Sequence, residues 1–543
     1  MNRKIIACTI GNCVHVAGVM NFLSLAEQEG YDAEFSGIAL TVDELIREVK
    51  AKKPDYVGIS FRLTPEPLRH ILKELKQKID EEDLKGIKWI FGGNEPAALV
   101  AKESEIFYKV FDGTEDVDEV IGFLRGIDKK EFEHYPKDLI SRIESKYPYP
   151  IIRHHLGLPK VEDTIEAIKK IAESKVLDVI SIAPDQNAQS FFFEPEKMDR
   201  RLDGAGGVPV RKKEDFVRMY EAAQRGNFPL LRCYSGTSNL LKFAELLKET
   251  INNAWAAIPL CWYSELDGRG PRSVRDAIFE NQQAMKWHGE RGIPVEVNEA
   301  HHWSLRDAHD AVGVATFYLA AYNAKKAKVK DFIAQFMFNV PPSISPKMDI
   351  AKMLAKLELV STLEDNSFRV YRQVRAGLAS FPSDLNMAKG QLAYSAYISM
   401  ALKPHIYHVV GFCEAHHAAG AEEIIESCKI ARQIIKNSFL GMPDFVNDKE
   451  VIERKERLKE DAMIIIDAIK ELGKGIEDPL SSPDCIAKAI QIGILDAPHL
   501  KGSKAAKGML TTKLYKGALY PYDPIEKRIL TEKERIERLL CTI

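Results

Sequence analysis

Apolar and polar positions follow two regimes along the chain. In the first, short apolar runs of strand length alternate with segments whose apolar residues recur at helical spacing. The runs predict strands at Lys4–Ile10, Ala33–Ile38, Asp55–Phe61, Lys88–Gly93 and Tyr108–Asp112. Between them lie amphipathic helices such as TVDELIREVKAKK, with Thr41 as its N-cap. Five such units predict a small doubly wound sheet over 1–127, which binds ligands at the carboxyl ends of its strands.

The segment 128–150 is charged, contains three prolines and shows no strand pattern, so it reads as a linker. A second alternating regime with longer helices covers 151–441. It has strands at Leu177–Ala183, Pro229–Tyr234, Ala254–Trp262, Pro294–Asn298 and Phe332–Phe338, and fainter ones near Val374–Ser380 and Ile406–Phe412. That spacing favours a (β/α)8 barrel with its site at the carboxyl ends of the strands. Residues 442–543 open with a long charged helix and become irregular, as a helical or irregular extension of the barrel. The fold class expected is α/β, a flavodoxin-like domain followed by a TIM barrel.

Composition changes this picture little. A net charge of -3 gives no electrostatic case for nucleic acid or an anionic membrane, and no run approaches the roughly 20 apolar residues of a span. The start, MNRKIIACTIGNCVHVAGV, runs straight into a strand-loop-helix pattern and reads as mature structure. The 8 cysteines, with no C-x-x-C pair, point to reduced thiols in a cytoplasmic protein.

Candidate chemistry gathers at the predicted strand ends. In the first region these are His15 and Gly18 in GNCVHVAG, Ser60 in ISF, Gly92 and Gly93 in FGGN, and Gly113 and Thr114 in FDGT. This set resembles the B12-binding domain of cobalamin mutases and corrinoid methyltransferases, whose signature is D-x-H-x-x-G, then S-x-L, then GG. The resemblance implies a bound corrinoid, with His15 as lower axial ligand of cobalt, a role suited to neutral imidazole. Cys13 stands where that family has the aspartate, and Arg62 where it has the leucine. A thiol is a weaker partner for imidazole than a carboxylate, so looser ligation or a different redox tuning is expected.

In the second region Arg232 and Tyr234 end LLRCY, Arg269 lies in the turn DGRGP, and Glu296 ends PVE, with Asn298, Glu299, His301 and His302 following. Arginine's planar fork suits carboxylates, so Arg232 and Arg269 at a barrel mouth imply a carboxylate substrate. Arg272 and Arg275 read as surface salt-bridge residues. The pairs His301-His302 and His416-His417 lack metal-site spacing, since neighbours on a strand face opposite ways.

The region from 150 to 543 resembles the epsilon subunit of glutamate mutase (methylaspartate mutase). The resemblance rests on the turns at Arg232–Gly236 and Asp267–Val274, on Pro294–Glu296, and on AKAIQIGILDAPHL in the tail. It implies Glu296 at the substrate amino group and Glu414 near the adenosyl ribose. It puts Gln189 where the family has its first arginine, Val410 where it has a lysine, and His302 and Arg306 where it has tyrosines. A substrate other than glutamate, an amino or carboxylic acid related to it, is therefore expected.

The expected function is an adenosylcobalamin radical carbon-skeleton mutase, an isomerase acting on an amino or carboxylic acid. Alternatives are a methylcobalamin-dependent methyltransferase and a non-catalytic cobalamin-binding or regulatory protein. The family also implies self-association and leaves room for a reactivating factor.

Overall fold

The computed structural model describes residues 3–115, 117–126 and 135–541. It divides into two compact units, Met1–His134 and Tyr135–Ile543.

The first unit is a five-stranded parallel sheet of β1 (Lys4–Ile10), β2 (Asp32–Leu40), β3 (Tyr56–Phe61), β4 (Lys88–Gly93) and β5 (Lys109–Phe111), in the order β2-β1-β3-β4-β5. The inner strands β1 and β3 are covered on both faces, which explains their continuous apolar runs. Ile6, Ile59, Phe61 and Phe91 pack beneath the helices Val42–Lys52, Pro65–Glu81 and Glu95–Ser104. The first of these begins at a reciprocal cap: Thr41 Oγ1 accepts from Glu44 N–H at 3.2 Å, and Thr41 N–H donates to Glu44 Oε2 at 2.8 Å. Strand order reverses between β1 and β3, opening a crevice at their carboxyl ends.

The second unit is a parallel barrel of β6 (Ile151–Leu156), β7 (Val179–Ile182), β8 (Leu230–Cys233), β9 (Ala256–Ile258), β10 (Val295–Val297), β11 (Asp331–Phe338), β12 (Arg369–Ala376) and β13 (Ile406–His408). The order runs β8-β7-β6-β13-β12-β11-β10-β9, and the seam between β8 and β9 is bridged from Tyr234 to Ala257. Leu139 and Ile143, on the helix Leu139–Lys146, pack against Ile151, Val179, Leu230 and Ile406 at the amino ends of the strands. Of the segment expected as a linker, 128–134 lies outside the described residues, while this helix closes the floor of the barrel.

The first barrel strand is β6, not the run at Leu177–Ala183. IIRHHL carries Arg153, His154 and His155 in mid-strand, and those polar residues break the apolar run by which the other strands are recognised. Every later strand is therefore one place further round than the sequence pattern suggests. The expected strand Ala254–Trp262 stops at Ile258, because the buried Glu299 carboxylate takes the N–H groups of Leu260 and Cys261 at 2.9 and 3.0 Å. The fainter strand expected near Val374–Ser380 is centred earlier, and Leu378–Ser380 form a 3-10 turn.

Beyond the barrel come the helices Lys449–Leu472 and Pro483–Ile492. A small antiparallel sheet of β14 (Thr512–Tyr515), β15 (Ala518–Asp523) and β16 (Arg528–Ile529) follows, and the helix Glu532–Leu540 ends the fold. Among the described residues no helix is long and apolar enough to cross a membrane.

Candidate functional site

The carboxyl ends of β1, β3, β4 and β5 carry the polar and glycine residues singled out from sequence. His15 lies exposed in the loop after β1, and Cys13 beside it is fully buried with its Sγ 3.7 Å from His15 Nδ1. Arg62 N–H, just past β3, donates to the same sulfur at 3.4 Å. Ser60 is buried at the end of β3.

The two glycines ending β4 have different reasons. A Cβ on Gly93 would sit 2.6 Å from the Phe61 carbonyl oxygen, so packing within the sheet excludes one. A Cβ on Gly92 would meet nothing within 4 Å, so the backbone there borders open space. Gly113 has φ +89°, a conformation that favours glycine, and Thr114 Oγ1 donates to Asp112 Oδ1 at 2.5 Å. That bond and the Thr114 N–H hold the Asp112 carboxyl below its ordinary range.

Val14, Met20 and Ile38 leave 63%, 45% and 53% of their surfaces exposed, in the loop that carries His15, in the helix that follows it and in β2, which pairs with β1. An exposed imidazole, exposed apolar side chains and a glycine bordering open space fit a corrinoid ring held at His15.

The barrel interior is polar where a closed barrel is ordinarily filled by branched apolar side chains. Arg153 on β6 and Arg232 on β8 are fully buried and face one carboxylate, Glu296 on β10. Glu296 Oε2 accepts from Trp255 Nε1 at 2.8 Å and lies 3.5 Å from Arg232 Nη1 and 3.9 Å from Arg153 Nη1. Arg153 Nη2 also lies 2.8 Å from His155 Nε2 and 2.8 Å from His408 Nδ1.

The His155 ring is stacked with Tyr234 and packs 4.6 Å from His408. Burial, and next the charge of Arg375 on β12, hold both imidazoles well below their ordinary pKa, so they are neutral near pH 7. Four guanidinium nitrogens, Nε and Nη1 of Arg153 and Nε and Nη2 of Arg232, are buried without a hydrogen bond. An unmade buried hydrogen bond is costly, so these donors mark where an acceptor-rich group belongs.

Glu414, after β13, accepts from Gly411 N–H at 2.7 Å and lies 3.1 Å from His154 Nε2. Burial works to raise its pKa, and these contacts outweigh burial to leave it lowered.

Toward the mouth, Arg269 Nε donates to Asp267 Oδ2 at 2.7 Å, and its guanidinium lies 4.2 Å from the Tyr263 ring centroid. Arg306 lies 3.7 Å from the same aspartate and 4.2 Å above Trp262. His302 Nδ1 lies 3.4 Å from Arg269 Nη2, while His302 Nε2 and Trp262 Nε1 are buried without hydrogen bonds. Two arginines thus share one carboxylate beside two unused ring nitrogens.

Arg232, Tyr234 and Glu296 therefore lie together in the interior, and Arg269 and His302 lie together at the mouth. Gln189 joins neither group through any hydrogen bond among the described residues. It sits on the short helix after β7, and its amide donates to the Pro184 carbonyl at 2.7 Å. The resemblance puts it at the family's first arginine, and in the structure it follows the second barrel strand, because β6 is the first. Arg272 pairs with Glu280 and Arg275 with Asp484, as expected of salt-bridge residues. His416 and His417 are exposed, and among the described residues no cluster of three or more His, Cys, Asp or Glu side chains could hold a metal ion.

Sequence reasoning missed Arg153, His155, Arg375 and His408. The available signal was the RHH run directly after the proline-rich segment, and the arginine two places after Gln373 on a barrel strand.

Residues 3–121 match the B12 binding domain family, and residues 346–537 match the methylaspartate mutase E chain (MutE) family. Together they support a cobalamin-dependent enzyme. No curated protein matches the chain.

Among solved structures, a cobalamin-binding protein from Desulfitobacterium hafniense DCB-2 is 24% identical over 23% of this chain and 59% of its own, with a TM-score of 0.21. The cobalamin-dependent S-adenosylmethionine radical enzyme OxsB, with aqua-cobalamin and S-adenosylmethionine bound, is 12% identical over 86% of this chain and 56% of its own, with a TM-score of 0.22. The chain thus spans less than two thirds of either protein, and scores this low bear on neither its activity nor its architecture. The two matches place a B12-binding region at the N-terminus and a MutE-like region in the C-terminal part, the pairing expected of a methylaspartate mutase-like fusion.

Proposed function

We propose that the chain is an adenosylcobalamin-dependent carbon-skeleton mutase acting on a carboxylic or amino acid. The observation that carries this reading is the set of buried guanidinium nitrogens without hydrogen bonds on Arg153 and Arg232, inside the barrel of a chain that also has a B12-binding domain.

Adenosylcobalamin, when bound, supplies a Co–C bond whose cleavage yields an organic radical; the protein supplies position, charge and exclusion of water. His15 holds cobalt, with Gly18, Ser60, Gly92, Gly93, Gly113 and Thr114 lining the corrinoid. In the barrel, Arg153 and Arg232 clamp the substrate carboxylate. The second Glu296 oxygen, Oε1, orients an amine or neighbouring polar group. Arg269, His302 and Trp262 receive the far end of the substrate. Tyr234, stacked on a neutral His155, walls the site without adding charge.

Methyl transfer from methylcobalamin is the second reading. Its support is that His154 and Gly411 N–H already engage Glu414, and that Val410 carries no charge for an adenosyl group.

The test loads full-length protein anaerobically with adenosylcobalamin, adds a panel of amino and carboxylic acids, and records EPR spectra. A radical signal with at least one acid is expected, lost in Arg232→Ala although corrinoid still binds. Turnover only with methylcobalamin would select the second reading. Simultaneous loss of acid and corrinoid binding in Arg232→Ala would make that residue structural.

A further inference from the structure

Two departures from the B12-binding pattern, Cys13 for aspartate and Arg62 for leucine, meet at one sulfur atom. Cys13 is fully buried at the turn after β1, and its Sγ receives the Arg62 backbone N–H at 3.4 Å. The same peptide is tied on its other side, where Asn94 Nδ2 donates to the Arg62 carbonyl at 3.5 Å while Asn94 Oδ1 caps the helix after β4. The sulfur is thus held in place from the ends of β3 and β4, and it lies 3.7 Å from His15 Nδ1.

Neutral imidazole has one N–H and one lone pair, and a cobalt ligand must offer the lone pair. His15 Nε2 makes no hydrogen bond among the described residues, and the side chain is exposed. A thiol sulfur has the acceptor capacity to receive both the Arg62 N–H and an imidazole N–H, weakly in each case.

We propose that Cys13 is the positioning residue of the cobalt ligand: Sγ accepts the Nδ1–H of His15, fixing the tautomer in which Nε2 is free to coordinate. Because the acceptor is a sulfur rather than a carboxylate, it draws less on the N–H, and the imidazole is a weaker donor to cobalt than a carboxylate-backed one. The inference rests on the reading of His15 as the cobalt ligand. What it adds is that the motif's second position is still in use, through a different atom, and that Arg62 contributes through its backbone.

The test uses full-length protein labelled with 15N-histidine, as wild type, C13A, C13S, C13D and H15A. Without corrinoid, 15N chemical shifts report the His15 tautomer. With cob(II)alamin, the EPR superhyperfine splitting reports whether a histidine nitrogen is bound, and a titration gives affinity.

Wild type is expected to show the Nδ1–H tautomer and histidine coordination. C13A is expected to show mixed tautomers and about tenfold weaker binding, the low end for loss of a ligand's hydrogen-bond partner. C13S restores the tautomer, and C13D restores it with tighter binding than wild type. C13A that matches wild type in both tautomer and affinity would overturn the inference and leave His15 as ligand. Histidine coordination that persists in H15A, or no cobalamin bound by wild type, would overturn the ligand reading itself.

Discussion

Exchanging Arg153 and Glu296 for leucine, one at a time, should have unequal consequences for stability although the two side chains face each other. Arg153 has two buried nitrogens without hydrogen bonds, each costing about 1–3 kcal/mol while unmet. Against this, its Nη2 contacts with His155 and His408 contribute about 0.5–1.5 kcal/mol each. In Arg153→Leu, Glu296 keeps Arg232 at 3.5 Å and Trp255 at 2.8 Å, so no charge is stranded. The two sides nearly cancel, and stability should change by no more than about 2 kcal/mol.

Glu296→Leu instead leaves two buried guanidiniums without a counter-ion, at a cost of about 3–5 kcal/mol, and the Trp255 N–H without an acceptor. Binding should respond differently again. Two charge-assisted hydrogen bonds of about 1.5–3 kcal/mol each mean that Arg153→Leu weakens binding of the substrate acid by roughly two to four orders of magnitude.

Urea denaturation followed by tryptophan fluorescence measures the stability arm, because Trp255, Trp262 and Trp303 are all fully buried in the barrel. The chain has two units, so the barrel transition must be fitted separately from the other. Isothermal titration with an acid found in the radical screen measures the binding arm. Arg153→Leu destabilised by more than about 4 kcal/mol would make the arginine a structural group. Undiminished binding would refute its role as a clamp.

Other predictions follow from the same geometry. Gly93→Ala should destabilise the first unit by about 1–3 kcal/mol, because the added carbon meets a backbone oxygen. Gly92→Val should instead leave thermal stability nearly unchanged and impair corrinoid binding, read by circular dichroism and by absorbance titration. Burial holds His155, His301, His302 and His408 well below 6.5, and His288 and His405 near about 4. Below about pH 6.5 the unfolded chain takes up protons that the folded barrel refuses, so stability should fall by up to ~1.4 kcal/mol per pH unit for each histidine. Asp349, pushed up to about 6 by burial, offsets one of them. A urea midpoint unchanged from pH 6.5 to pH 5 would contradict this. Asp496 gathers the N–H groups of Ala497, Gly508, Met509 and Leu510, so Asp496→Ala should expose Lys501, Lys504 and Lys507 to faster tryptic cleavage. Unaltered digestion would show that the loop is held by other contacts.

The first unit was legible in the sequence because local rules and global topology agree there. β1 and β4 have the bounds that their apolar runs predict, Thr41 caps its helix, and a parallel sheet puts the rim residues at one end. The barrel was legible as an architecture and less so as a site. Its first strand carries polar residues where the pattern needs apolar ones, so RHH hid β6 and left the count of barrel strands one short. Arg375 was hidden for a related reason: β12 has arginines at three positions, and alternation alone does not say which one enters the interior. The barrel positions of Arg232, Tyr234 and Glu296 were legible because each ends a clear apolar run in the sequence.

The most direct measurement mixes full-length protein, free of corrinoid, with adenosylcobalamin in the dark and compares its visible spectrum with that of His15→Ala. The account predicts a base-off, histidine-ligated spectrum for the wild type, and its loss in the variant. Failure of both proteins to bind corrinoid, or the same spectrum from both, would contradict the claim that His15 is where this chain holds cobalt.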